Sequence, residues 1–293
     1  MDTMIQVFNS NKQTFKFKTM KIKSIFVSGI ALVLLSFMGC SKEGLEEISS
    51  QSYTSKVKLE KSSTKTNTFY GPQVRIGQGH VRSWIRIADS GIPEEIGIEM
   101  SKNLLNQLPG GDDPVQLVLP LHKKAKEVTP FDHVFFDWNP HGHEPDGVFT
   151  VPHFDVHFYM TSVADREAIP VYPEAMAQFD NYPPPGYLPD DYVTPPNGGT
   201  AVPMMGTHWI PISFAPPFSN ILLYGSYDGE VTFIEPMNTV AYLESGIPFR
   251  EVYSQPSKFA KTSYYPTVYN VYQNSKDQKQ IISLSDFVHR DAE

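Results

Sequence analysis

Histidines cluster in one short stretch of the chain. Five of the nine histidines fall within 25 residues of the 293-residue sequence, and they are His133, His141, His143, His153 and His157. Neutral imidazole and carboxylate groups are the ligands that zinc, iron and manganese prefer in proteins. The cluster therefore predicts a metal-binding or catalytic site. The alternative is that these histidines are ordinary solvated side chains on the outer face of a strand.

Polar and apolar residues alternate through residues 152–160. The pattern predicts a strand with a core-facing side and a polar side, the polar side being His153, Asp155, His157 and Tyr159. At about 3.3 Å per residue, the first and last histidines of this set lie about 13 Å apart along the strand. They cannot share one ion unless the strand is bulged, so one of them is expected to orient a ligand or to bind substrate.

A second pair of histidines, His141 and His143, has the same two-residue spacing. A hairpin that turns over residues 145–151 would bring this pair to the strand, and the Asp146-Gly147 dipeptide favours such a turn. We therefore predict that one divalent transition metal ion binds here, with zinc as the favoured ion. The predicted ligands are His141, His143 and His157, with Asp155, His153 or His208 completing the set.

Two acidic residues are candidate catalytic groups. Glu144 or Asp155 would accept a proton from a metal-bound water. His208, at the end of the proline-rich stretch, is the best distant ligand, and Glu235 is a further one. Two function classes follow: a metal-dependent hydrolase or lyase, and a non-catalytic envelope protein that binds metal, a glycan or another subunit.

Short strand patterns dominate the rest of the chain, with few and brief helical ones. They predict a mainly β fold, a single β-sandwich or barrel-like domain over residues 68–286 with a tail over 287–293. Twelve prolines lie between Pro170 and Pro217. Such a long loop is rare in a compact domain unless it serves a site, so we expect residues 172–203 to cover the histidine face and to bring His208 to it.

The amino-terminal residues have the pattern of an export signal. A short apolar run over residues 24–38 follows several lysines, which is typical of a signal peptide over residues 1–39. Ser36-Phe37-Met38-Gly39-Cys40 resembles a bacterial lipobox, with Phe37 as its unusual residue, and predicts that Cys40 carries lipid. An ordinary signal peptide with an incidental cysteine is the alternative. A start at Met20 would make residues 1–19 an over-long gene prediction, and residues 41–67 are expected to form a flexible tether.

Composition excludes some partners and structures, and the export signal indicates the location. The net charge of −8 argues against nucleic-acid binding, and a single cysteine excludes an internal disulfide framework. The expected location is the bacterial cell envelope, as an outer-membrane lipoprotein facing the periplasm or the surface. The expected partners are the membrane, through the lipid, and a second copy of the chain in a homo-oligomer.

Three motifs carry a resemblance to a known family. They are His141-Gly142-His143-Glu144-Pro145, Pro152-His153-Phe154-Asp155-Val156-His157-Phe158-Tyr159 and Met205-Gly206-Thr207-His208-Trp209. With these motifs the chain resembles a bacterial family of secreted or lipid-anchored domains of unknown function, over about residues 70–272. The resemblance implies a shared histidine site and names no chemistry.

Overall fold

Strands are the main regular structure of residues 65–293, the part of the chain that the computed structural model describes. In chain order they are β1 (Thr66–Tyr70), β2 (Val74–Ile76), β3 (Gly79–Ala88), β4 (Pro93–Met100), β5 (Val115–Pro120), β6 (His133–Asn139), β7 (His153–Tyr159), β8 (Tyr192–Val193), β9 (Ala201–Val202), β10 (Gly206–Pro211), β11 (Asn220–Tyr227), β12 (Glu230–Thr239), β13 (Phe249–Val252), β14 (Ser263–Tyr265), β15 (Val268–Gln273), β16 (Gln280–Ser285) and β17 (Val288–Arg290). The α-helices are short: α1 (Lys123–Val128), α2 (Val163–Glu167), α3 (Met176–Phe179) and α4 (Val240–Ser245). Two 3₁₀ helices span Leu104–Gln107 and Tyr172–Glu174.

The strands pair into two large antiparallel sheets. The first sheet has the order β1-β3-β4-β16-β15-β13, with β2 beside β3. The second has the order β5-β6-β7-β12-β11-β10-β8, with β9 beside β10, and β14 and β17 form a small separate sheet. The two large sheets pack as the layers of a sandwich. The predicted mainly β class is therefore confirmed, in its sandwich form.

Apolar side chains fill the space between the two sheets. Ile85, Ile96 and Ile98 of the first sheet belong to the same buried cluster as Phe136, Val156 and Phe158 of the second. In β7 the apolar residues of the alternating pattern enter this core, as the sequence predicts. The polar residues of β7 consequently lie on the opposite side of the second sheet, which we call the outer face.

The outer face is covered, so its polar side chains are buried as well. Every residue of β7 is buried. Arg166 of α2 lies over the ring of Phe135, 4.1 Å from its centroid, and Met205 packs against the cluster that contains Phe135 and Phe233. Farther along the face, Phe149 and Phe218 form a second apolar cluster with neighbouring strands. These contacts isolate the outer face from water and raise the cost of leaving any of its polar groups unpaired.

The proline-rich stretch is built from short elements. It contains one of the 3₁₀ helices, α3, β8 and β9. Thr207 donates its hydroxyl to the carbonyl of Phe179. The Nδ1 of His208 lies 3.1 Å from the carbonyl of Thr200. Thr200 of the stretch thus contacts His208 directly, and the expected cover of the histidine face by residues 172–203 stays a prediction.

The ends of the domain differ in detail from the predicted boundaries. The strand β1 begins two residues before position 68, and Val288–Arg290, within the predicted tail, pairs with β14. The predicted signal peptide, the Cys40 lipidation site and most of the tether lie outside the described residues. Among residues 65–293, none of the helices has the length and apolar character needed to cross a membrane.

Candidate metal centre

Strand register places the polar residues of three strands side by side on the outer face. Across β6 and β7, Asn139 pairs with His153 and Asp137 pairs with Asp155. Across β7 and β12, Met237 pairs with Asp155 and Phe233 with Tyr159. The residues midway between these pairs, His157 and Glu235, are therefore neighbours.

Two groups of three side chains on this face could hold a metal ion. We call His143, His153 and Asp155 the open triad, and His157, His208 and Glu235 the buried triad. Within each triad, the three possible ligand atoms lie within 4.8 Å of one another. The names reflect exposure: the side chain of His143 is 42% exposed, whereas that of His208 is 12% exposed and the other four are almost fully enclosed.

In the open triad, both imidazoles point at one carboxylate. The Nε2 of His153 lies 3.1 Å from Oδ1 of Asp155, and the Nε2 of His143 lies 3.4 Å from Oδ2. Asn139 donates to Oδ2 of Asp155 at 2.7 Å, which fixes the carboxylate. The rings of Phe149 and Phe218 pack against His143 and His153 and form an apolar wall on one side.

The buried triad repeats the arrangement around Glu235. The Nε2 of His157 lies 3.2 Å from Oε1 of Glu235, and the Nε2 of His208 lies 3.6 Å from Oε2. The two imidazole rings are nearly perpendicular, at 79°, with centroids 6.0 Å apart. Phe233 packs against both rings, with 5.0 Å between centroids in each case.

The backbone determines which nitrogen of each ring faces the carboxylate. The Nδ1 atoms of all four histidines lie near carbonyl oxygens, at 2.8 Å for His143, 2.7 Å for His153, 3.3 Å for His157 and 3.1 Å for His208. Because a carbonyl only accepts, each Nδ1 must carry the proton, and the Nε2 of the neutral ring then offers a lone pair. This is the arrangement that orients histidine ligands at metal sites.

Four of the facing atoms have no hydrogen-bond partner among the described residues. They are Nε2 of His153, Oδ1 of Asp155, Nε2 of His157 and Oε2 of Glu235. A lone pair on nitrogen facing a lone pair on oxygen is repulsive unless a cation or a proton lies between them. Each triad therefore needs a proton or a cation between its facing atoms, and its donor set is that of a metal site.

Burial and neighbouring charge shift the pKa values of these groups. Burial lowers the pKa of His157 to about 3 and that of His208 to about 4. Burial, with the nearby charges of Asp155 and Asp137, holds the pKa of Glu235 well above its usual range. For Asp155 burial acts upward, but the charge and hydrogen bonds of His153 and His143 in their protonated forms outweigh it, and the pKa lies below its usual range.

These shifts predict that metal uptake by the buried triad strengthens as pH rises. Without metal, His157 and His208 are neutral at neutral pH, and the raised pKa of Glu235 favours its protonated form. Because a metal ion needs the Glu235 carboxylate, the metal-free protein binds more protons than the loaded one, and rising pH favours loading. Calorimetry in buffers of different ionisation enthalpy should show a net release of protons on zinc binding. A binding enthalpy that is the same in every buffer would contradict the assignment.

A glycine on β11 makes room for the buried triad. Gly225 pairs with Phe233 across the strands, and a Cβ at Gly225 would overlap the Phe233 ring. We expect Gly225→Ala to displace this ring and to destabilise the fold by about 1–3 kcal/mol, the usual cost of overpacking. Zinc affinity should fall as well, because Phe233 supports His157 and His208. Gly110→Ala, at a glycine with open space around it and no positive φ, is the control for the assay and should leave zinc affinity unchanged.

The other predicted site residues lie outside both triads. The side chain of His141 is 68% exposed, and its Nε2 lies 3.3 Å from Oδ1 of Asp112. The side chain of Glu144 is exposed, and its backbone carbonyl accepts the hydrogen bond from Nδ1 of His143. The structure thus separates the predicted ligands His143 and His157 into two groups and leaves His141 apart. The buried His133 stacks on Tyr159, with ring centroids 5.0 Å apart.

Sequence reasoning missed one acidic residue of the outer face, Asp137. It is buried and lies across the strands from Asp155. Burial and the charge of Asp155 hold its pKa well above its usual range. The signal was present in the sequence, because one face of β6 has the same alternation as the polar face of β7: its residues are His133, Phe135, Asp137 and Asn139.

Comparisons of the chain with models of protein families, with curated proteins and with solved structures found no match.

Proposed function

We propose that this protein is a lipid-anchored, metal-binding protein of the bacterial cell envelope, and that both triads bind a divalent transition metal ion. One observation carries the proposal: buried Nε2 and carboxylate oxygen atoms face each other without hydrogen-bond partners in two separate groups. Orphaned polar atoms of this kind are rare in folded proteins and costly. A metal ion in each triad would accept the lone pairs of the Nε2 atoms and of the carboxylate oxygen atoms.

Zinc is the ion that we propose. Two imidazoles and one carboxylate per triad suit zinc as well as iron(II) and manganese(II), and zinc binds such sets with three protein ligands and one free position. Elemental analysis of the full chain with Cys40→Ser, purified without chelators, tests this choice. We expect close to two zinc ions per chain, and a protein that binds no transition metal after reconstitution would refute the proposal.

The open triad supports a second proposal, that the protein is a metal-dependent hydrolase or lyase. Its exposed member, His143, leaves a solvent path to the ion, and a three-ligand zinc site can activate water. Ester and phosphoester hydrolysis should then vanish with chelation and in His143→Ala, and should return with zinc. If the fully loaded protein hydrolyses neither class, the non-catalytic alternative, a binding protein for metal, glycan or another subunit, is favoured.

Membrane attachment is a proposal of its own, and it rests on the lipobox-like sequence at Cys40. We expect Cys40→Ser to move the protein from the membrane fraction to the soluble fraction of the envelope. Partition of this variant with membranes to the same extent as the parent would refute lipidation.

A further inference from the structure

Asp137 is a buried carboxylate that belongs to neither triad. It lies on β6, directly across from Asp155 of the open triad. Its Oδ2 lies 3.9 Å from Nδ1 of His157 in the buried triad. Asp137 is therefore a neighbour of one member of each triad.

The Asp137 carboxylate has few partners for a buried charge, namely its neighbour Gln116 on β5 and the charge of Arg166. The residue is 2% exposed, and its Oδ1 has no hydrogen-bond partner among the described residues. The buried Arg166 directs its guanidinium to Glu167 and to the carbonyl of Met204. A buried carboxylate beside a second carboxylate is costly unless a cation compensates them.

The carboxylates of the outer face can compensate most of the charge of two divalent ions. Asp137, Asp155 and Glu235 bring three carboxylates to this face, and each is nearly fully buried. One divalent ion among three negative charges leaves the face negative, while two divalent ions leave a single positive charge. With an ion in each triad, an ionised Asp137 lowers the summed charge of the two ions and their two ligating carboxylates from +2 to +1, and bound metal ions are the largest local charges in such a site.

We propose that the two triads form one two-metal centre and that Asp137 is the carboxylate they share. Asp137 compensates the charge of both ions and, through its position beside Nδ1, helps to orient His157. It is a positioning residue, since it acts on the ions through the ligands. The inference rests on the proposed metal binding and adds that both ions bind to the same molecule and depend on one residue.

Zinc titration of the metal-free full chain, carrying Cys40→Ser, tests this inference in the parent and in Asp137→Asn. Loss of an outer-shell partner costs about 10–100-fold in metal affinity. We expect the parent to bind two zinc ions and Asp137→Asn to bind both about 10–100-fold more weakly. Circular dichroism of the metal-free variant establishes that it is folded.

Glu95→Gln is the matched control. Glu95 is also a buried strand carboxylate, but it lies on the first sheet and is hydrogen-bonded to Ser283, Tyr272 and Arg86. This variant should lose stability with or without zinc and keep its zinc affinity. A parent that binds only one ion overturns the inference even if Asp137→Asn does not fold. Two ions bound with unchanged affinity in Asp137→Asn overturn it too, and leave the proposed metal binding intact. A parent that binds no ion overturns both.

Discussion

His157→Ala and His143→Ala should each lose one of two bound metal ions, and the double variant should lose both. The two residues belong to different triads, and each supplies one of only three ligands. Since loss of an outer-shell partner alone costs about 10–100-fold in affinity, loss of a ligand should cost more than about 100-fold. Competition with a chromophoric chelator, combined with elemental analysis, measures both the affinity and the stoichiometry.

His141→Ala is the matched control for these variants. His141 is a neighbouring histidine, but its side chain is 68% exposed and lies near Asp112. We expect this variant to keep both ions with unchanged affinity. Loss of an ion in His141→Ala, or full stoichiometry in the folded double variant, would contradict the division into two triads.

Removal of metal should lower thermal stability strongly. A ligand present at about 1,000 times its dissociation constant stabilises the folded state by about 4 kcal/mol. For a domain of this size each kcal/mol corresponds to about 2–4 °C, so chelation should lower the melting temperature by about 8–16 °C for each ion removed. Calorimetric or optical melting of the protein with zinc, with chelator, and with zinc restored provides the measurement.

The same melting experiment on the His143→Ala/His157→Ala variant controls for direct effects of the chelator. This variant should melt at one temperature under all three conditions, because it has no complete triad. An equal chelator-induced shift in the parent and in the double variant would show that the loss of stability does not come from the triads.

Alternation was the most informative feature of the sequence. It located β7, assigned its apolar residues to the core and placed His153, Asp155 and His157 together on the other side. It also indicated that His153 and His157 are too far apart to bind one ion, and in the structure they belong to different triads. A pattern with period two depends only on the pleat of the strand, so it survives without knowledge of the fold.

The partners of these residues could not be derived in the same way. An extended chain would place His141 and His143 on one side, but Gly142 has a φ of 70°, and a Cβ there would overlap the backbone near Phe149. The resulting turn directs His143 to the triad and leaves His141 in solvent. Glu235 meets His157 because β12 pairs with β7, a contact between distant parts of the chain that local pattern does not reveal.

A crystal structure of the zinc-loaded protein, with anomalous data collected above and below the zinc edge, tests the central claim most directly. We predict two anomalous peaks per chain, one beside Nε2 of His153 and Asp155 and one beside Nε2 of His157 and Glu235. Backbone carbonyl oxygens should still accept a hydrogen bond from Nδ1 of each histidine. A single peak at His141, or the absence of any peak on the outer face at full zinc loading, would contradict the account.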